Sequence, residues 1–284
     1  MAPIQVLGEV LDVKRSGSYY VMSVTAPGLP ERTRPGHFVN ISIGGEESGL
    51  ILRRSFAIYQ VQQRGVYGGT LDLVVSVHGP GTKWISERRR HDTLHIVGPL
   101  GRPFTLPKEK VSCVLVGGGY GSAPLFMLAE QLRERGCRVD VIVGAGTEEK
   151  LFGVLDLKRL SSTVTVTTDD GSLGEHGRVT DVLPDVMARS SAEVVYACGP
   201  MPMLAAVADI AAEHRAHSQC SVEEAMACGV GVCMTCVLPV VGSDGVTRMV
   251  RSCTEGPVFR GDAVRWSEVG TIPEGTLGAP TGGH

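Results

Sequence analysis

The chain of 284 residues is long enough for two compact domains and a smaller element. With 43 % hydrophobic and 20 % charged residues it has the composition of an ordinary globular protein, and 27 Lys and Arg against 30 Asp and Glu leave a net charge of −3, which excludes a nucleic-acid binder with a basic field over its whole surface. The N-terminus lacks the basic and apolar regions of a secretory signal, and no apolar run reaches the ~18 residues of a membrane span, so the expectation is a cytoplasmic protein with reduced cysteines.

Residues 4–105 read as β-rich. Alternating or β-branched runs at 5–13, 19–25, 37–43, 53–60, 70–78 and 93–97 are separated by Pro27-Gly28, Pro35-Gly36, Gly44-Gly45 and Gly68-Gly69. That spacing predicts a small closed antiparallel barrel, with one short helix near 81–87. One strand carries Arg53-Arg54-Ser55-Phe56-Ala57-Ile58, and farther on come Gly79-Pro80-Gly81-Thr82 and Gly98-Pro99-Leu100-Gly101. An arginine on a barrel strand beside a Gly-Thr turn can hold a pyrophosphate through guanidinium and backbone N–H contacts; the alternative is a solvated, snorkelling side chain.

From residue 111 the pattern changes. Strands at 111–116, 138–143, 164–168 and 193–198 alternate with helices at 123–135, near 150–159, at 179–188 and at 201–214, which predicts a Rossmann-like parallel sheet flanked by helices. The first strand ends in Gly117-Gly118-Gly119-Tyr120-Gly121, a turn that would aim backbone N–H groups at a phosphate. The strict G-x-G-x-x-G fingerprint is not met, because Ser122 or Pro124 falls where its last glycine belongs. No acidic residue closes the next strand, which ends Val143-Gly144-Ala145-Gly146, so a tight turn without a ligand is the alternative. Cys198-Gly199-Pro200 also joins a strand to a helix, and two such turns at strand carboxyl ends would face one crevice. Asp169-Asp170-Gly171 either adds polar groups there or is a solvated turn.

The third region, 218–262, holds Cys228-x4-Cys233-x2-Cys236-x16-Cys253. This is the plant-type ferredoxin spacing for a [2Fe-2S] cluster, with Gly229 and Gly231 letting backbone N–H groups turn toward sulfur. Structural zinc favours paired short knuckles, of which only Cys233-x2-Cys236 is present; buried packing cysteines are a third alternative. Cys113, Cys137 and Cys220 read as packing residues, and Cys198 stands at a candidate nicotinamide turn.

This order of motifs resembles the ferredoxin reductase superfamily, which binds FAD and a nicotinamide dinucleotide. With Ser221-Val222-Glu223-Glu224 before the cysteines and Pro257-Val258-Phe259 after them, residues 4 to 262 look like an electron transfer subunit of NAD-dependent dihydroorotate dehydrogenase. The resemblance implies an FAD-binding β-barrel over 1–107, an NAD-binding α/β domain over 108–217, a [2Fe-2S]-binding subdomain over 218–262 and a mobile tail over 263–284. It places FAD on Arg54, Ser55, Phe56 and Ala57, on Val74, Val75 and Ser76, and on Gly81 and Thr82. NAD falls on Gly117, Gly118, Gly119 and Gly121 with Cys198, Gly199 and Pro200, and the cluster on Cys228, Cys233, Cys236 and Cys253. The family usually has Pro at position 55, Ser at position 57 and an aromatic residue near Val75. Ala57 therefore gives up one hydrogen bond, worth on the order of 1 kcal/mol. His37, where the family often has Gln, reads as a packing residue of the flavin domain.

The resemblance further implies an oxidoreductase component in pyrimidine biosynthesis. A partner catalytic subunit containing FMN would oxidise dihydroorotate, and electrons would pass through the [2Fe-2S] cluster and FAD on this chain to NAD+. The assembly would be a hetero-oligomer with neither nucleic acid nor membrane as a partner. A related subunit of a hydrogenase, sulfite reductase or transhydrogenase complex is one alternative, and a zinc-stapled, redox-silent binding protein is another.

Overall fold

The computed structural model describes residues 2–45, 48–63 and 68–279. Its first body is built from β1 (Ile4–Ser16), β2 (Tyr19–Thr25), β3 (Phe38–Ile41), β4 (Arg54–Gln62), β5 (Thr70–Val75), α1 (Pro80–Ser86) and β6 (Thr93–Leu100). The six strands close in the order β1-β2-β5-β4-β3-β6 with every pairing antiparallel, so no edge is left unpaired. Period-two alternation fills the interior: Leu71 and Leu73 point in while Thr70 and Asp72 point out, and Leu94 and Ile96 do the same between Thr93 and His95.

The second body begins with β7 (Ser112–Gly118), α2 (Ala123–Glu134), β8 (Arg138–Ala145), α3 (Val154–Leu160) and β9 (Thr163–Thr168). It continues with β10 (Glu175–His176), α4 (Val179–Ser190), β11 (Val194–Cys198), α5 (Met201–Glu213) and β12 (His217–Ser221). The sheet order is β10-β9-β8-β7-β11-β12, closed by the antiparallel β15 (Val258–Arg260). The strand order therefore reverses between β7 and β11, the switch point outside which α/β sheets bind ligands.

Eight of the twelve residues of α2 are buried because the helix is covered on both sides. Leu125 and Leu128 pack on the sheet core, Met127 joins the barrel core, and the Phe126 ring meets Tyr59 of β4 edge-on at 4.9 Å. The two bodies thus share one apolar interior.

Several bounds differ from the sequence expectation. The glycine turn does not open α2 directly; a 3-10 turn, Gly119–Ser122, intervenes. The helix expected near 150–159 is α3, starting at Val154, with a separate 3-10 turn, Glu148–Lys150, before it. The region of the clustered cysteines lends β12 and β15 to the main sheet, and between them lies a hairpin of β13 (Val237–Val241) and β14 (Thr247–Arg251). Residues 263–279 pack Val264 and Trp266 against the α5 side of the sheet, and Leu277 N–H donates to Thr247 O at 2.9 Å. Residues 280–284 of the expected tail lie outside the described residues. No helix among the described residues is long and apolar enough to cross a membrane.

Candidate functional site

A cavity of about 1120 Å³ opens at the switch point between barrel and sheet. The barrel contributes Ser76 and His78 just beyond β5, and the turn after β7 contributes Gly118, Gly119 and Tyr120. The ends of β8 and β9 add Gly144, Gly146 and Asp169, and the turn after β11 adds Pro200. Arg15, Lys83, Lys150 and Arg178 also line it, a cationic excess over Glu87, Asp169 and Glu223 that suits an anionic dinucleotide. Its volume matches a site for large cofactors.

The structure brings the two predicted turns of the sheet into contact. A Cβ on Gly121 would stand 2.8 Å from Gly199 Cα, so only glycine lets the turns after β7 and β11 abut. Gly117, Gly121 and Cys198 lie behind this contact rather than on the cavity wall. Burial pushes the Cys198 thiol up to about 12, which keeps it a neutral packing group.

Thr167 was not singled out from the sequence. It is 1 % exposed and lines the cavity, and its hydroxyl is the one buried side-chain oxygen or nitrogen without a hydrogen-bond partner among the described residues. A polar ligand atom would satisfy it. The only sequence signal was its place at the carboxyl end of a strand.

On the barrel, Arg54 crosses beside the start of α1. A Cβ at Gly81 would meet Ile43 Cδ1 at 2.5 Å and Arg54 Nε at 2.9 Å. The guanidinium thus packs directly on the Gly81 backbone, and its Nη1 donates to the Leu52 and Arg53 carbonyls at 2.9 and 3.3 Å. Thr82 Oγ1 accepts the N–H groups of His78 (2.9 Å) and Gly79 (3.1 Å), fixing this turn. Phe56 and Val75 point into the barrel core, so these positions can offer a cofactor only backbone, whereas Ala57 and Ser76 face outward. Ser55 reaches a different neighbour: its hydroxyl donates to Asn40 Oδ1 at 2.6 Å. His37 is buried at 7 % exposure and its Nδ1 accepts the Arg34 N–H at 3.0 Å. Burial and the Arg34 charge lower its pKa to about 4.

Of the four clustered cysteines, Cys236 and Cys253 pack against each other. Among the described residues no three His, Cys, Asp or Glu side chains converge as a single metal ion requires. The thiols fall instead in two pairs, Cys228 beside Cys233 and Cys236 beside Cys253. Four cysteine sulfurs on this spacing are the donor set of a two-iron cluster. Cys236 and Cys253 are buried against Phe38 and Leu100 of the barrel, while Cys233 is exposed. The loop turns its backbone toward sulfur: Val232 N–H donates to Cys228 Sγ at 3.3 Å and Val230 N–H at 3.5 Å. Burial raises the Cys228 pKa, but the N–H groups of Cys233, Val230 and Val232 together outweigh it and bring the thiol down to about 6, whereas burial pushes the Cys253 thiol up to about 12.

One hydrogen bond ties the cavity to the cysteine region. Tyr120 O–H donates to the Glu223 carboxylate; burial and that carboxylate both raise the tyrosine pKa.

Comparison with known proteins agrees with these features. Residues 115–209 match the oxidoreductase NAD-binding domain, and residues 223–265 match the iron-sulfur cluster binding domain of dihydroorotate dehydrogenase B. The chain is 33 % identical to the electron transfer subunit of dihydroorotate dehydrogenase B (NAD(+)) from Desulforamulus reducens, over 92 % of this chain and 100 % of that one. It is 36 % identical to the same subunit from Bacillus caldolyticus, over 86 % of this chain and 92 % of that one. Among solved structures, a chain of the NADH-dependent reduced ferredoxin-NADP oxidoreductase, described for flavin-based electron bifurcation, superposes with a TM-score of 0.79 at 30 % identity, covering 93 % of this chain and 91 % of that one. The ferredoxin reductase of carbazole 1,9a-dioxygenase shares the fold, with a TM-score of 0.63 at 20 % identity over 76 % of this chain and 67 % of that one.

Proposed function

The chain belongs to the family of electron transfer subunits of NAD-dependent dihydroorotate dehydrogenase B, and on that premise we propose how its own residues divide the work. It is an oxidoreductase component of pyrimidine biosynthesis that uses FAD, a [2Fe-2S] cluster and NAD to pass the electrons of dihydroorotate oxidation to NAD+. When bound, the flavin is the converter between one-electron chemistry at iron and hydride chemistry at nicotinamide.

Arg54 with the backbone at Gly81 and Thr82 would hold the flavin through its phosphates, and Val74, Val75 and Ser76 would offer it main-chain groups and the Ser76 hydroxyl. The turns at Gly118–Gly119 and Gly199–Pro200 carry the nicotinamide dinucleotide, with Lys150 and Arg178 neutralising its phosphates. Cys228, Cys233, Cys236 and Cys253 would hold the [2Fe-2S] cluster, which would supply one-electron transfer. The cysteine spacing, with the match of residues 223–265 to the iron-sulfur cluster binding domain of dihydroorotate dehydrogenase B, is the observation that carries the assignment. Functionally the chain divides into a barrel (1–107), an α/β domain (108–217) and a cluster subdomain (218–262).

A partner subunit supplies the dihydroorotate-oxidising site, and we assign it FMN, a hetero-oligomeric assembly with this chain and a cytoplasmic setting. Val230, Val232 and Met234, exposed around the exposed Cys233, offer that partner an apolar face. Co-expression with a dihydroorotate-oxidising subunit tests this. The two chains should elute as one complex containing FMN and FAD in equal amounts, and separate elution would overturn it. A second reading, the same module on a different catalytic partner, is favoured by the 30 % identity to the bifurcating oxidoreductase chain. Capture of that other partner in place of a dihydroorotate-oxidising subunit would establish it.

A further inference from the structure

Asn40 lies on β3, between the strand that carries Arg54 and the loop that carries Cys228, and is 2 % exposed. Its carboxamide is spanned from both sides. Ser55 O–H donates to Oδ1 at 2.6 Å, and Nδ2 donates to the Cys228 carbonyl at 2.8 Å. Only one orientation of the amide satisfies both neighbours, because a carbonyl oxygen can only accept. Gly229, at φ +68°, exists to admit this contact, since a Cβ there would collide with the carboxamide.

The contact controls more than packing. Holding the Cys228 carbonyl fixes the plane of the 228–229 peptide. That plane sets the course of the loop whose next N–H groups, at Val230 and Val232, point at Cys228 Sγ. Hydrogen bonds to cluster sulfurs tune the potential of an iron–sulfur centre. We propose that Asn40 is a positioning residue that locks the cluster loop to the flavin-binding strand through the Ser55–Asn40–Cys228 chain, setting both the sulfur hydrogen bonds of the cluster and its register with the flavin.

The inference rests on the cluster and flavin assignments above, which fail visibly if the unmodified protein lacks iron–sulfur and flavin absorption. The test compares the unmodified protein with Asn40→Leu and with the milder Ser55→Ala, each purified anaerobically with its cofactors. Three quantities are read: the electron paramagnetic resonance spectrum of the dithionite-reduced cluster, its midpoint potential, and the stopped-flow rate of cluster reduction by NADH. Asn40→Leu should shift the resonance and the potential and slow cluster reduction several-fold, while NADH reduces the flavin at its unmodified rate. Ser55→Ala should shift the resonance in the same direction by less. Unchanged spectra, potential and cluster-reduction rate in both variants would overturn the proposal. So would joint loss of flavin and cluster in both variants, which would make Asn40 an ordinary packing residue.

Discussion

Cys233 is the exposed thiol of the four, with Thr235 O–H donating to its sulfur at 3.1 Å, so its replacement disturbs the cluster and little else. Cys233→Ser should abolish the iron–sulfur signal while NADH oxidation by an artificial acceptor continues through the flavin; retention of a normal cluster spectrum would remove Cys233 from the ligand set. Gly81→Ala places a methyl against Ile43 and the Arg54 guanidinium, overpacking of about 1–3 kcal/mol. Flavin retention through gel filtration should fall sharply, and normal FAD content would contradict a flavin site at Arg54 and Gly81. His37 gives a pH signature. The unfolded histidine binds its proton near pH 6.5 and the folded one only near pH 4, so stability is complete above pH 6.5 and declines as pH falls through that window, by on the order of 3 kcal/mol. In denaturant titrations across this range His37→Gln should flatten the decline; an unchanged slope would show that His37 is not its source.

At the scale of elements, α2 does the joining. Its sequence is apolar nearly all round, which fits burial on both faces, but nothing in that pattern says that the second face meets β4 of the barrel. Phe126→Ala should cost about 3–5 kcal/mol in chemical denaturation and loosen both bodies together. A loss confined to the α/β body, followed by domain-specific hydrogen exchange, would contradict a shared core. Local periodicity and turn chemistry made the barrel strands, the alternating α/β elements and the cysteine spacing legible in the sequence. What escaped has long-range causes. β12 and β15 join the main sheet through pairings between distant segments, as at Cys220 and Phe259. Asn40 meets Cys228 across 188 residues. Thr167 stands out only once its hydroxyl is seen to lack a partner. The flavin motif is the mixed case: Arg54 and Gly81 meet as the motif implies, but Phe56 and Val75 turn into the core and Ser55 toward the cluster loop.

Over the whole molecule the parts lie in the sequence that electron transfer needs. Cys236 and Cys253 pack on Phe38 and Leu100 of the barrel, Arg54 lies on the strand beside Phe38, and the cavity opens between barrel and sheet where the glycine turns meet. Val230, Val232 and Met234 around Cys233 are exposed and none of them lines the cavity. The most direct test is NAD+ reduction driven by dihydroorotate, measured anaerobically in a complex of this chain with a dihydroorotate-oxidising subunit. NADH should form only when both subunits are present, and Cys233→Ser should stop it. NADH formation by the partner alone, or at an unchanged rate with the Cys233→Ser chain, would contradict the account.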